Sequence, residues 1–378
     1  MNPYARMLGA ALTLAMGVAS SAALAGPRAA AEPAGHTAVQ KVLHRLTTDD
    51  GAPGALAEVR DRRGVTVLTS GVADLRTNAP VPADSSFRIG SMTKPYVATV
   101  VLQLVGEHRV ALDAPVERYL PGVVRGHGND GRRITVRELL QHTSGLPDYL
   151  TYLTPQDVLA DRYAHHDRDE LLRIALAHPP LFRPGRKWSY SNTNYLLASM
   201  LIEKVTGHPY ATEIDRRIVK PLGLRSTSVP GDETGIPGPH PRGYVRPGAG
   251  ADPIDVTEFN PSVAAGSGNM ISSASDVSRF FDALLHGRLL RPAELAEMTR
   301  TRATGSSDGR AYGLGLERHP LPCGGVYWGH GGDIFGFATM SGTTTDGRQA
   351  TVMVNLDPGG SDAQDADVTA AVTTALCS

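Results

Sequence analysis

A mixed α/β chain of the α+β kind, with one antiparallel sheet built from both chain ends, is predicted by three features of the sequence. Strand patterns cluster near the two ends, at 55–72 and 312–355, whereas helical patterns and Gly/Pro-rich loops fill the stretch between them. Helical patterns also stand outside the strands at each end, at 39–47 and 367–376. Terminal helices should therefore flank the sheet, and a mostly helical subdomain should be inserted into it. A cleft is expected where the two meet. With 378 residues the chain is long enough for one large domain or two closely packed ones. The expected division is a sheet part at about 37–100 and 268–378, with a helical part at about 101–267.

From the N-terminus, Arg6, the apolar run 7–18 and Ala23-Leu24-Ala25 give the charged, apolar and small-x-small pattern of a secretory signal. Residues 1–25 are thus expected to be removed and the mature protein to be secreted. Residues 26–36 (GPRAAAEPAGH) carry no periodic pattern and read as a disordered linker. Strands at 55–60 and 65–72 should pair through Arg62-Arg63-Gly64. The run 96–107 (YVATVVLQLVGE) is too long for one strand and follows Ser91 and Pro95, both common at helix starts, so it reads as a buried helix. Further helices are expected at 136–141, 168–177, 192–205, 210–220 and 274–285, and the Gly/Pro-crowded segment 231–261 should wrap the surface. Strand patterns return at 312–317, 325–329, 335–343 and 349–355, with Asp346-Gly347 as the hairpin turn between the last two.

Composition narrows the function. Lys plus Arg number 37 against 38 Asp plus Glu, a formal net charge of −1, which argues against nucleic acid as a partner. After the signal, no segment approaches the ~20 apolar residues of a membrane helix, so no membrane association is expected once it is cleaved. Cys323 and Cys377 are the only cysteines, and in an oxidising compartment such a pair reads as a disulfide rather than a metal site or nucleophile. There is no His-Glu-x-x-His and no phosphate-cradling glycine loop, so neither cofactor nor metal is expected.

Three short motifs carry chemistry. Ser91-Met92-Thr93-Lys94 sets a hydroxyl and an amine three residues apart at a helix start, where they share a face. A lysine can deprotonate a serine if burial lowers its proton affinity, although the same residues would also serve as a helix cap and a surface charge. Tyr190-Ser191-Asn192 precedes a long helix and offers a phenol to shuttle protons and an amide to hold a carbonyl. His330-Gly331-Gly332-Asp333 places two glycines inside a strand, which weakens it unless a substrate must lie against the backbone.

In that order and spacing, the motifs resemble the Ser-x-x-Lys, Tyr-x-Asn and His-x-Gly boxes of the serine β-lactamase and penicillin-binding superfamily, in particular its secreted D-Ala-D-Ala carboxypeptidases of the Streptomyces type and class C β-lactamases. The likeness runs from about 38 to 377 and takes in Phe87-Arg88-Ile89-Gly90, Tyr119-Leu120-Pro121-Gly122, His142-Thr143-Ser144-Gly145-Leu146, Tyr312-Gly313-Leu314-Gly315 and the cysteine pair. It implies that Ser91 forms an acyl-enzyme, that Lys94 is its base, that Tyr190 relays protons and that Asn192 binds an amide of the acyl side. It also implies that His330 takes the place of the family's box lysine, and that the backbone N–H groups of Ser91 and Asp333 form the oxyanion hole.

Departures from the family pattern fall at the substrate end. Gly331 and Asp333 replace two hydroxyl residues on either side of the box glycine, Gly332. Glu317 stands where carboxypeptidases carry an arginine for the substrate carboxylate, and the neighbouring Arg318 should point to the other face of its strand. Three functions are compatible with this. One is a D-Ala-D-Ala carboxypeptidase-like hydrolase acting on cell-wall peptides and reacting with β-lactams. The second is an esterase, amidase, D-amino-acid peptidase or acyl transferase on the same scaffold, and the third a non-catalytic β-lactam sensor. A small peptide or ester is the expected partner, and the protein is expected to be a monomer.

Overall fold

Gly54–Asp61 (β1) and Gly64–Asp74 (β2) form the hairpin expected around Arg62-Arg63-Gly64, paired from Gly54 opposite Gly71 to Asp61 opposite Gly64. The computed structural model describes residues 34–248, 250–359 and 361–378, so the expected signal segment 1–25 and residues 26–33 of the expected linker lie outside the described residues. The sheet gains a short strand, Ala79–Pro80 (β3), and six strands from the C-terminal part. These are Arg302–Ala303 (β4), Ala311–Tyr312 (β5), Glu317–Pro320 (β6), Val326–Ile334 (β7), Phe337–Thr343 (β8) and Gln349–Val354 (β9). Their order is β4-β5-β6-β7-β8-β9-β1-β2-β3, so β9 pairs antiparallel with β1 and the two chain ends meet inside the sheet rather than at an edge.

The helices that matter for the site are Ala34–Thr48 (α1), Thr93–Gly106 (α2), Val136–Leu140 (α3), Asn192–Thr206 (α4), Ala274–Leu285 (α5) and Asp362–Leu376 (α6). Val39, Leu43 and Leu46 of α1 and Ala371, Val372 and Leu376 of α6 are buried in one core with Ala57, Val352 and Val354 of the sheet. These three α1 residues form a helical stripe at i, i+4 and i+7, and α1 begins at Ala34, so residues 34–36 are helix rather than linker. On the opposite side a larger core runs without a break from Leu56 and Phe87 through α2 and α4 to Leu171 and Leu172, which makes 34–378 one compact unit. The Cys323–Cys377 disulfide ties the end of α6 to the turn before β7.

Two expected elements differ. The strand expected at 312–317 is two strands, β5 and β6, with Tyr312 opposite Glu317 and a tight turn at 313–316. Gly315 has a φ of +75°, and a Cβ at Gly313 would lie 2.1 Å from the Met298 carbonyl oxygen, so these glycines bend the chain where alternation alone reads as extension. The helix expected at 210–220 is α-helical over Tyr210–Ile214 and π-helical over Asp215–Val219. Among its described residues, segment 231–260 is irregular apart from one pair of two-residue strands, Tyr244–Val245 and Ile254–Asp255. It is pinned from beneath by Arg88, whose buried guanidinium donates to the Thr234 carbonyl at 2.5 Å and stacks 4.2 Å from the Phe259 ring centroid.

Candidate active site

Ser91 sits in a 3₁₀ turn, Gly90–Met92, that leads into α2, so the serine and Lys94 lie on consecutive turns of one rod. The turn is wedged against β7. A Cβ on Gly90 would lie 2.8 Å from the Asp333 backbone N, and one on Gly332 would lie 2.0 Å from the Ile89 carbonyl oxygen. Only glycine permits this approach, which brings the Asp333 backbone N beside the Ser91 turn. β6 pairs with β7 only from Val326 to Gly329, so residues 330–334 present an edge that β6 leaves open beside the serine.

Lys94 is fully buried, and its Nζ has three neighbours: Ser91 Oγ at 2.9 Å, Asn192 Oδ1 at 2.8 Å and the Ser267 carbonyl oxygen at 2.8 Å. Burial lowers its pKa to about 7, against the pull of Asp148, Asp333 and Glu317. A neutral amine has two N–H bonds, and two fixed acceptors await them. Its lone pair then faces the third neighbour, the Ser91 hydroxyl. The arrangement can take a proton from serine at neutral pH.

Tyr190 and Asn192 arrive from a loop laced to the segment 142–148. Ser189 N–H donates to the His142 carbonyl, Ser191 N–H to His142 Nδ1, and Ser191 Oγ to the Pro147 carbonyl. The Tyr190 ring lies 4.7 Å from Lys94 Nζ and 4.3 Å from the His142 ring. Burial pushes its phenol well above the ordinary range, and a hydrogen bond with Ser91 opposes that only in part. Tyr190 therefore stays protonated and is a proton donor or relay rather than a standing phenolate. The Asn192 amide is held at both ends, since its Nδ2 donates to Asp148 Oδ2 at 2.8 Å.

His330 is buried on β7, where Tyr312 Oη lies 2.9 Å from its Nε2 and the Gly331 carbonyl 2.6 Å from its Nδ1. The carbonyl can only accept, so Nδ1 carries the proton and Nε2 accepts from Tyr312. Burial lowers the His330 pKa to about 4 although Glu317 pulls the other way. This side chain is therefore neutral at physiological pH.

Ser91, Tyr190, His330, Gly331, Asp333 and Glu317 share one cavity of about 400 Å³. Glu317 meets His319 Nε2 at 2.9 Å and Arg310 Nη1 at 3.6 Å. Burial alone would raise its carboxyl, but the charge His330 takes on in acid, the contact with His319 and the Arg310 guanidinium hold it below the usual range, so it is ionised at neutral pH. Asp333 opens to the cavity, and enclosure by its walls, with Asp365 and Glu317 nearby, raises its pKa to about 6. Arg318 is absent from the lining, as strand alternation requires. Sequence reasoning missed Arg310, Asp148, Trp188 and Asp365. Arg310 and Asp365 reach the cavity from a hairpin loop and the first turn of α6, and neither belongs to a box.

The sheet, its flanking helices and a serine with a buried lysine at the cleft define a serine hydrolase of the β-lactamase fold. Residues 39–374 match the Beta-lactamase family, and the chain belongs to it. A D-stereospecific amidohydrolase from Streptomyces sp. is 42% identical over 89% of this chain and 98% of its own, with a TM-score of 0.82. A D-amino acid amidase from Ochrobactrum anthropi SV3 is 30% identical over 90% of this chain and 97% of its own, with a TM-score of 0.79. Esterase EstB of Burkholderia gladioli is 33% identical over 275 residues, 65% of this chain and 69% of the esterase.

Proposed function

We propose that the protein is an exported hydrolase that acylates itself on Ser91 with D-aminoacyl esters or amides lacking a free carboxylate on the leaving group. Lys94 takes the Ser91 proton as Oγ attacks the acyl carbon, and the backbone N–H groups of Ser91 and Asp333 receive the developing oxyanion. Tyr190 relays the proton from Lys94 to the leaving amine or alcohol, which restores the neutral amine and the phenol, and water repeats the sequence to release the acid. Asn192 holds an amide of the acyl side. The open edge of β7 offers main-chain groups to an extended substrate.

The observation that carries this reading is the acidity of the cavity beyond His330. Ionised Glu317 and Asp333 stand there, and Gly331 has no hydroxyl to offer. Each like-charge contact with a substrate carboxylate near 4 Å would cost about 1–4 kcal/mol at effective dielectric constants of 80 to 20. The D-stereospecific amidohydrolase and the D-amino acid amidase among the similar structures support the same class of donor. Export is supported by the 7–25 signal pattern and by the Cys323–Cys377 disulfide.

A carboxypeptidase reading is favoured by one feature, Arg310, whose half-exposed side chain reaches the cavity beside Glu317 and could meet a carboxylate. The test compares D-alanine release from a peptide ending in D-Ala-D-Ala with cleavage of the same peptide amidated at its C-terminus, with Ser91→Ala as blank. Equal or faster cleavage of the amidated peptide is expected. Clear preference for the free acid would overturn the amidase and esterase reading and leave Arg310 as the carboxylate clamp.

A further inference from the structure

The resemblance assigns Asn192 to the substrate, yet in this structure the amide is also the middle link of a chain that ends on a buried acid. Lys94 Nζ donates to Asn192 Oδ1 at 2.8 Å, and Asn192 Nδ2 donates to Asp148 Oδ2 at 2.8 Å. The other carboxylate oxygen, Asp148 Oδ1, accepts from the Leu150 backbone N–H at 3.1 Å and so caps the turn Tyr149–Thr151. Asp148 is thus anchored by its own backbone turn and aimed at a single side chain. An amide has two ends, and while Lys94 is a neutral amine that could donate or accept, a partner that can only accept fixes which end faces which neighbour. A carboxylate at one end compels Nδ2 to turn toward it and Oδ1 toward Lys94.

We propose that Asp148 is a positioning residue that orients the Asn192 amide toward Lys94 and supplies the negative charge that stabilises the proton Lys94 takes from Ser91. The proposal rests on the reading of Ser91 and Lys94 as nucleophile and base. In the step concerned, the Ser91 Oγ–H bond breaks as the Oγ–acyl bond forms. The proton passes to the Lys94 lone pair, and the resulting ammonium donates to Oγ, Asn192 Oδ1 and the Ser267 carbonyl together. One N–H of Asn192 goes to Asp148, leaving the other for a substrate carbonyl. Asp148 therefore prepares both functions of the amide from outside the reacting atoms.

Other groups bear on Lys94 and set the scale of the effect. Asp333 on β7 and Glu317 on β6 attract its proton as Asp148 does, Asp148 being the strongest of the three. His142 behind Tyr190 and His330 on β7 are both kept neutral by burial, and the rings of Tyr190 and Tyr195 lie 4.7 and 5.7 Å from Nζ. Loss of the Asp148 charge therefore leaves Lys94 with two attracting acids and a lower proton affinity. The acid limb of kcat/KM, which reports the free enzyme, must move to lower pH.

The experiment measures kcat/KM for p-nitrophenyl butyrate from pH 5 to 9 with the full chain, its Asp148→Asn and Asp148→Glu variants, and Ser91→Ala as blank. Asp148→Asn should lower kcat/KM at pH 8 by about tenfold or more as the amide loses its fixed orientation. Its acid limb should fall by roughly half to one pH unit, and Asp148→Glu should restore the limb toward the parent. If Asp148→Asn does not accumulate as folded protein, Asp148→Ser and Asp148→Gln carry the same prediction. A limb that stays in place in a folded uncharged variant overturns the proposal. So does a change confined to KM, which would make Asp148 a group that touches substrate. Labelling of Ser91 by a fluorophosphonate separates the two readings. Labelled Ser91 with an unmoved limb removes only the role of Asp148, whereas turnover by Ser91→Ala removes the nucleophile itself.

Discussion

Spacing made Ser91 and Lys94 legible, because an i, i+3 pair at a helix start can meet only on one face; the amine's state was not, because burial sets it. Lys94 lies beneath Tyr190 and between Asn192 and Ser267, and a sequence does not show which side chains close over a lysine. Its pKa of about 7 gives a direct consequence. The base must be neutral to act, so kcat/KM should fall about tenfold per pH unit below that pH and level off above it. Lys94→Arg is the sharper test, because a guanidinium stays protonated and has no lone pair to offer. It should reduce acylation by about 10²–10⁴-fold while the protein stays folded, read by the rate of p-nitrophenol release. A Lys94→Arg variant within tenfold of the parent would show that another group, Tyr190 foremost, removes the serine proton. Asp148 and Arg310 were invisible at this scale for a different reason. Asp148 meets a partner distant in sequence, Asn192, and Arg310 meets Glu317 across the 313–316 turn that the alternating pattern hid; neither stands in a motif whose spacing could announce it.

Elements were read best where one periodicity ran without interruption, as in β1, β2, α2 and α4, and worst where two glycines broke a short alternating run. Tyr312 to Glu317 alternates like a strand, and the folded chain turns there because Gly313 and Gly315 let it approach Met298 and α2. The turn has a task beyond connecting β5 to β6. A Cβ on Gly315 would lie 2.5 Å from Ala98 Cβ, 2.7 Å from Tyr195 Oη and 3.2 Å from the Lys94 carbonyl oxygen. The turn thus abuts the helix that carries the base, at the residue that matters. Gly315→Ala combines a left-handed φ with overpacking against α2, and should cost about 1–3 kcal/mol of stability, measured by denaturant unfolding. Because the displaced neighbour is the Lys94 turn, kcat/KM should drop in the fraction that remains folded. A fully active, equally stable alanine variant would mean that the turn can withdraw from α2 without moving Lys94.

At the scale of the whole molecule, an interior pair of the sheet joins strands from opposite chain ends, so the fold is complete only when the C-terminal part has docked. β9 lies on β1, and α6 packs with α1 on the same face. That arrangement was legible because strand patterns clustered at both ends with helices outside them. How the last helix serves the cleft was not, since Asp365, Val368 and Thr369 of α6 join the cavity wall from residues chosen by packing rather than by a motif. The disulfide closes this architecture, joining positions 54 apart so that the end of α6 cannot leave the β7 side of the sheet. Closing a loop of that length restricts the unfolded chain by an amount equivalent to about 2–4 kcal/mol. The double variant Cys323→Ser, Cys377→Ser should lose about that much stability in denaturant titration and melt several degrees lower. Its effect on the site should follow from α6 alone. Ser91 and Lys94 are held by α2 and β7, so labelling of Ser91 should persist below the melting temperature, whereas KM for an extended substrate should rise as the α6 wall loosens. Loss of Ser91 labelling in a variant that is still folded would refute this division, because it would mean that the chain end positions the nucleophile as well as the wall.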